Sequence, residues 1–137
     1  MDWNSSIIEE FHAKQGRGIG RFGDRLVLLT TTGARSNEER TTPVMYHRDG
    51  DRYVVVASKS GAPDNPAWYH NLKAHPEARV EVASDSGTEL VKVRAYEAEG
   101  EERRRIWAER VAIAPGFGDY QEKTPRQIPV MILERID

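Results

Sequence analysis

Two spacings of apolar residues run through this chain and mark out its elements. Leu26-Val27-Leu28-Leu29 is apolar at successive positions and leads into Thr30-Thr31-Thr32, as a strand covered on both faces would. Residues Ala78 to Ser84 and Thr88 to Tyr96 alternate instead. That alternation puts Val80 and Val82, then Val91, Val93 and Ala95, on one face of a hairpin turning at Asp85-Ser86-Gly87. Helical spacing occurs three times. Trp3, Ile7, Ile8 and Phe11 share one stripe of a helix within residues 5–16, regular from about Ile7 to Gln15. Ser6 and Glu9 have capping-box spacing there, and Gly16 is its stop. Asn65 as N-cap and Pro66 in the first turn open a second helix, ended near His75 because the residue before Pro76 avoids helical angles. Glu99 to Ala114 predicts the third, with Ile106, Trp107, Val111 and Ile113 inward and Arg103-Arg104-Arg105 as a solvated face.

The turn-forming residues supply the rest. Asp49-Gly50-Asp51 is the strongest turn signal and joins Pro43–Arg48 to Arg52–Ser58 as a hairpin. Three glycines between Arg17 and Asp24 predict a flexible connector, and residues from Pro115 to Pro125, with Phe117 and Tyr120, read as irregular. Ile128 to Arg135 is the last strand, with Pro129 near its start. Six strands joined mostly by hairpins, with three helices added, predict a mainly β domain over residues 1–137 whose antiparallel sheet curls into a small barrel.

At 137 residues, with 38% hydrophobic and 31% charged positions, the chain can bury a core without covalent staples. A net charge of −2 gives no global basic field for nucleic acid, so any cationic site is local. The absence of cysteine removes disulfides and thiolate chemistry. No run reaches the ~20 apolar residues of a membrane span and no export signal opens the chain, so a cytoplasmic location is expected. His70 and His75 lie about 140° apart on one helix, with His12 and His47 elsewhere, so no metal site is expected. There is no G-x-S-x-G or S-x-x-K serine, and Gly16-Arg17-Gly18-Ile19-Gly20 precedes a strand rather than a helix, the wrong context for a dinucleotide fingerprint.

What remains is a set of side chains suited to a flat anion. Two strands end in hydroxyl-rich turns, Thr32-Gly33-Ala34-Arg35-Ser36 and Ser58-Lys59-Ser60-Gly61, each holding one strong cation, with Arg40 nearby. Trp68-Tyr69 offers an aromatic wall. The same residues also read as solvated cations at ordinary strand ends, with Trp68 in the core.

These segments resemble a known family. Leu29-Thr30-Thr31-Thr32-Gly33-Ala34-Arg35-Ser36, Arg40-Thr41-Thr42-Pro43-Val44, Val56-Ala57-Ser58-Lys59-Ser60-Gly61-Ala62 and Asn65-Pro66-Ala67-Trp68-Tyr69-His70-Asn71-Leu72 look like the deazaflavin (F420)-dependent nitroreductases and quinone reductases. Asp119-Tyr120-Gln121 and Arg126-Gln127-Ile128-Pro129-Val130 extend the match almost to the end. The resemblance implies a six-stranded split β-barrel of the FMN-binding type. It also implies coenzyme F420, whose reduced form gives a hydride to a quinone, nitro or enone acceptor. By that resemblance Ala34, Arg35 and Ser36 hold the phosphate and acidic tail, with Lys59 as second cation. Arg40, Thr41, Thr42, Pro43, Val44 and Met45, with Val56, Ala57 and Ser58, line the deazaflavin. Ala67, Trp68, Tyr69, His70 and Asn71 close over it, and Ser58 and Tyr120 match positions beside the substrate. Two departures stand out: Ala34-Arg35-Ser36-Asn37 has one cation and one glycine fewer than many members, and the substrate wall is thinned to Ala114, Phe117 and Tyr120. FMN as cofactor and a non-catalytic F420 carrier are the alternatives. The N-terminal helix reads as a packed element, a lid or a peripheral membrane contact, and the oligomeric state is open.

Overall fold

The computed structural model describes residues 3–136. Helix α1 (Trp3–Lys14) leads through a 3-10 turn at Gly20–Phe22 to β1 (Leu26–Thr32), β2 (Glu39–Asp49) and β3 (Arg52–Val56). After a second 3-10 turn at Lys59–Gly61 come α2 (Ala67–Ala74), β4 (Glu77–Ser84), β5 (Gly87–Glu97), α3 (Gly100–Ile113), α4 (Gly116–Lys123) and β6 (Val130–Arg135). The six strands close into an antiparallel barrel in the order β1-β2-β3-β6-β5-β4, the split-barrel fold. No described helix is long and apolar enough to cross a membrane.

Strand β1 is covered as its run of apolar residues predicts. Val27 and Leu29 enter the barrel interior with Val80, Val82, Val91, Val93 and Ala95, the face expected of the β4–β5 hairpin. Leu26 and Leu28 point outward, where Phe11, Ile7 and Ile8 of α1 cover them. The helix is therefore packed on its own domain. The Trp3 side chain, expected in the same stripe, lies outside the described residues. The helix already runs at Ser6, so this serine is not its cap. At the other end the Gly16 amide donates to the Phe11 carbonyl (2.9 Å) and the Gln15 amide to that of His12 (3.4 Å), a Schellman ending with Gln15 itself at φ +54°.

Elsewhere tertiary contacts redraw the boundaries. The 17–24 connector is ordered: Ile19 is fully buried, bridges Gly23, and Gly18 N donates to Asp24 Oδ1 (2.7 Å). Strand β2 begins four residues before Pro43, because Glu39 to Thr42 pair with Thr32 to Leu29. Pro66, not Asn65, occupies the N-cap of α2. Residues 116–123 are helical, with Phe117 buried against Ile106, Val54 and Ile132. Ile113 is exposed, and Arg103 is half-buried with a bond to the Ile128 carbonyl (2.6 Å), whereas Arg104 and Arg105 are exposed as expected, Arg105 pairing with Asp49 (2.8 Å).

Since Phe11 is wholly buried against β1, Phe11→Ala is expected to cost about 3–5 kcal/mol of stability, read as a lowered urea midpoint at unchanged slope. A loss below 1 kcal/mol would mean that α1 is a loosely attached arm.

Candidate functional site

The site begins where β1 and β3 leave the barrel. After Thr32 the chain makes a tight loop: Gly33 N donates to Glu38 O (2.7 Å) and Asn37 N to Gly33 O (3.0 Å), with Asn37 at φ +59°. Asn71 on α2 clamps this loop. Its Nδ2 donates to Thr31 Oγ1 (3.0 Å) and its Oδ1 accepts from Ala34 N (3.0 Å). Both ends of the Asn71 amide are thus spent on positioning. Among the described residues the amides of Arg35 and Ser36 and the guanidinium of Arg35 have no partner. An exposed cation beside free amides is an arrangement that can hold an anion.

The second loop, after β3, is held by Arg126. Its Nε donates to Ala62 O (3.0 Å), Nη1 to Ala57 O (3.1 Å) and Asn65 Oδ1 (2.6 Å), and Nη2 to Ser58 O (2.9 Å). Gly61 lets α4 approach, since a Cβ there would lie 2.8 Å from the Tyr120 carbonyl oxygen. Lys59, at φ +46°, pairs with Asp64 (3.1 Å) and lowers the pKa of that carboxyl. Arg40 likewise pairs with Glu38 (3.3 Å). Arg35 is the cation left open.

Between the loops runs a groove of two compartments sharing Asn4, Thr42, Ala67 and Trp68. The outer one, about 710 Å³, is lined by Gly33, Ala34, Arg35, Ser36, Arg40, Thr41, His70 and Asn71. The inner one, about 540 Å³, is lined by Pro43, Val44, Met45, Val56, Ser58, Lys59, Pro66, Arg110 and Phe117. Three expected residues lie elsewhere. Ala57 is a fully buried barrel residue. Tyr69 turns away to donate to Glu97 (2.7 Å), where burial first and that hydrogen bond second push its phenol up to about 12. Tyr120 stands edge-on behind Phe117, ring centroids 5.4 Å apart. Trp68 serves both as core and as wall. Among the described residues no group of three or more His, Asp or Glu side chains is placed to hold a metal.

Sequence reasoning missed Asn4, Pro66 and above all Arg110 as lining residues, whereas Phe117, expected in the substrate wall, does line the inner compartment. This arginine is 1% exposed, at the inner end of the groove. Its Nε faces His47 Nδ1 (3.0 Å), its Nη2 donates to Val54 O (2.8 Å), and its guanidinium carbon lies 4.8 Å from the Phe117 ring centre. Burial lowers its pKa to about 10, so it stays charged at neutral pH. Burial, and then the adjacent Arg110 charge, bring His47 down to about 4, which keeps it neutral and able to accept.

A model of the F420H(2)-dependent quinone reductase family matches residues 3–135. The chain is 40% identical over 124 residues to an F420H(2)-dependent quinone reductase of Mycobacterium tuberculosis, which covers 85% of this chain and 81% of that relative. A solved F420-H2 dependent reductase is 41% identical with a TM-score of 0.72, over 80% of this chain and 94% of its own. A second solved structure, described as a domain-swapped dimer, is 37% identical with a TM-score of 0.74, over 95% and 98%.

The burial of His47, and second the Arg110 charge beside it, makes folding pH-dependent. With its folded pKa depressed to about 4, below the ordinary 6.5, His47 binds fewer protons folded than unfolded between these values. Stability should therefore be undiminished above pH 6.5 and fall by about 2–3 kcal/mol as pH drops to 4. Urea titrations across this range should show a flatter slope for His47→Gln, and an equal slope would refute this origin.

Proposed function

Because the chain belongs to the F420H(2)-dependent quinone reductase family, we propose that its two-compartment groove is the site where coenzyme F420 and a small-molecule acceptor meet. The observation that carries this reading is the lining of the groove, with the open cation of Arg35 in the outer compartment and the apolar walls of Pro43, Val44, Met45, Val56 and Phe117 in the inner one. The free amides of Arg35 and Ser36 and the Arg35 charge suit the phosphate and acidic tail. Thr41 and Thr42 would run alongside the cofactor, and Trp68, Pro43 and Met45 would wall its ring. Reduced F420 supplies a hydride. The residues of the chain bind it, orient it and exclude water around it.

In the inner compartment Ser58 faces the acceptor. Its side chain has no hydrogen-bond partner among the described residues, and its backbone is fixed by Arg126. That combination suits an orienting hydroxyl. We place Tyr120 one ring further back, supporting Phe117. The walls of Pro43, Met45, Val56 and Phe117 in this compartment suit the flat ring of a quinone. Helix α1 spends its apolar residues on β1 and reaches the groove mouth through Asn4, so we read it as part of the rim rather than as a lipid contact.

Purified protein titrated with F420 and FMN side by side should prefer F420, whose acidic tail uses Arg35. Arg35→Ala should weaken F420 binding and Arg35→Glu weaken it more, and added salt should lower the affinity of an exposed cation near 0.1 M and above. Equal affinity for both flavins without salt dependence would overturn this assignment. In single-turnover oxidation of reduced F420 by a simple quinone, Ser58→Ala should slow transfer about tenfold to 10²-fold at unchanged F420 affinity. Tyr120→Phe should have a smaller effect than Ser58→Ala. The reverse order would make Tyr120 the principal donor.

A further inference from the structure

Arg110 is a buried cation without a buried anion. Among the described residues no carboxylate lies within ion-pair distance of its guanidinium, and the nearest acidic neighbour in sequence, Glu109, instead sits 3.9 Å from His47 Nε2. Two of its three nitrogens are held by neutral acceptors, His47 Nδ1 and the Val54 carbonyl. The third, Nη1, is buried with no hydrogen-bond partner. An uncompensated charge in such a place is costly, and an apolar residue would fill the same volume without that cost. The cost is concentrated beside the apolar inner compartment, where Arg110 contributes to the lining next to Phe117, Val56 and Ser58. A fixed, desolvated donor placed there costs little reorganisation when negative charge arrives.

We propose that Arg110 supplies the positive charge that receives the oxyanion formed on the acceptor, and so selects acceptors whose reduction places charge on an oxygen. The inference rests on the reading of this groove as the F420 and acceptor site. For a quinone, hydride addition delivers two electrons and one proton and yields a hydroquinone monoanion. The cofactor is oxidised by the same two electrons, and a proton from solvent then completes the hydroquinone. Arg110 remains protonated throughout and stabilises the monoanion by hydrogen bonding and charge, while His47 and the Val54 carbonyl keep its planar group in one orientation. No proton leaves the guanidinium.

The test uses Arg110→Met and Arg110→Lys beside the wild type, with thermal denaturation to establish that each is folded. One arm measures equilibrium binding of 2-hydroxy-1,4-naphthoquinone, an anionic quinone at neutral pH, to the F420-loaded protein. Arg110→Met should bind it about tenfold to 10²-fold more weakly, and Arg110→Lys should recover part of the loss. The second arm measures F420 affinity, expected within about twofold of wild type. The third measures single-turnover reduction of an uncharged 1,4-naphthoquinone, expected to slow about 10²-fold in Arg110→Met. Equal anion binding by wild type and Arg110→Met overturns the proposal and leaves Arg110 as a structural group. Loss of F420 affinity with unchanged anion binding also overturns it, assigning the charge to the cofactor ring. Failure of the wild type to bind F420 would instead refute the reading of the groove. The anion arm repeated without cofactor then still judges Arg110.

Discussion

Strand β1 has neither a free edge nor a free face. It pairs with β2 along its whole length and with β4 across Leu28 to Thr30, while its inner side chains fill the barrel and its outer ones lie under α1. Burial on four sides fixes its register, because a slip by one residue would exchange the two sets of apolar side chains and misplace both clusters. Everything that follows Thr32 inherits that rigidity. The loop carrying Arg35 leaves from a strand that cannot move, and Asn71 ties it to α2 through two further bonds. The loop that carries the open cation is therefore built on a firmly anchored strand.

The other half of the groove lacks that support, because the last strand-like bond on this side runs from the Ala57 amide to the Pro129 carbonyl (2.9 Å). One arginine substitutes for it. Arg126 satisfies the carbonyls of Ala57, Ser58 and Ala62 together with Asn65, four acceptors from one planar donor. Helix α4 then rests on the same loop at Gly61 and brings Phe117 to the wall of the inner compartment. The two loops are thus held by different means. A strand end and an asparagine hold the first, and a guanidinium and a close-packed helix hold the second.

The cations show the difference between charge and available charge. Lys59 and Arg40 are both near the groove, yet each has a carboxylate partner on its own loop. These exposed pairs contribute little to stability, but they divide the field the groove presents to an anion. Among the described residues neither Arg35 nor Arg110 has a carboxylate partner, the first being exposed and the second buried. One sits in each compartment, so the groove meets a ligand with positive charge at both ends and apolar walls between.

The sequence by itself determined the barrel, and most of the residues it marked out line one groove. The limits of β1, the inward face of β4 and β5 and the hairpin at Gly50 follow from periods of two and from turn residues, which act locally. The run from Ala34 to Asn71 located the groove through its resemblance to the family. Only the tertiary structure decided which of these residues face it. Tyr69 and Trp68 are adjacent in sequence, yet on α2 they point to Glu97 and to the groove respectively, a choice set by how the helix packs. Arg110 was invisible because it lies in a helix rich in arginine, where a charged residue ordinarily faces solvent. Its burial depends on His47 and the Val54 carbonyl, more than fifty residues away in the chain. Helix α4 escaped notice for a related reason. Two glycines and a short apolar content give residues 116–123 weak helical preference alone, and contact with α3 and the 59–61 turn supplies the rest.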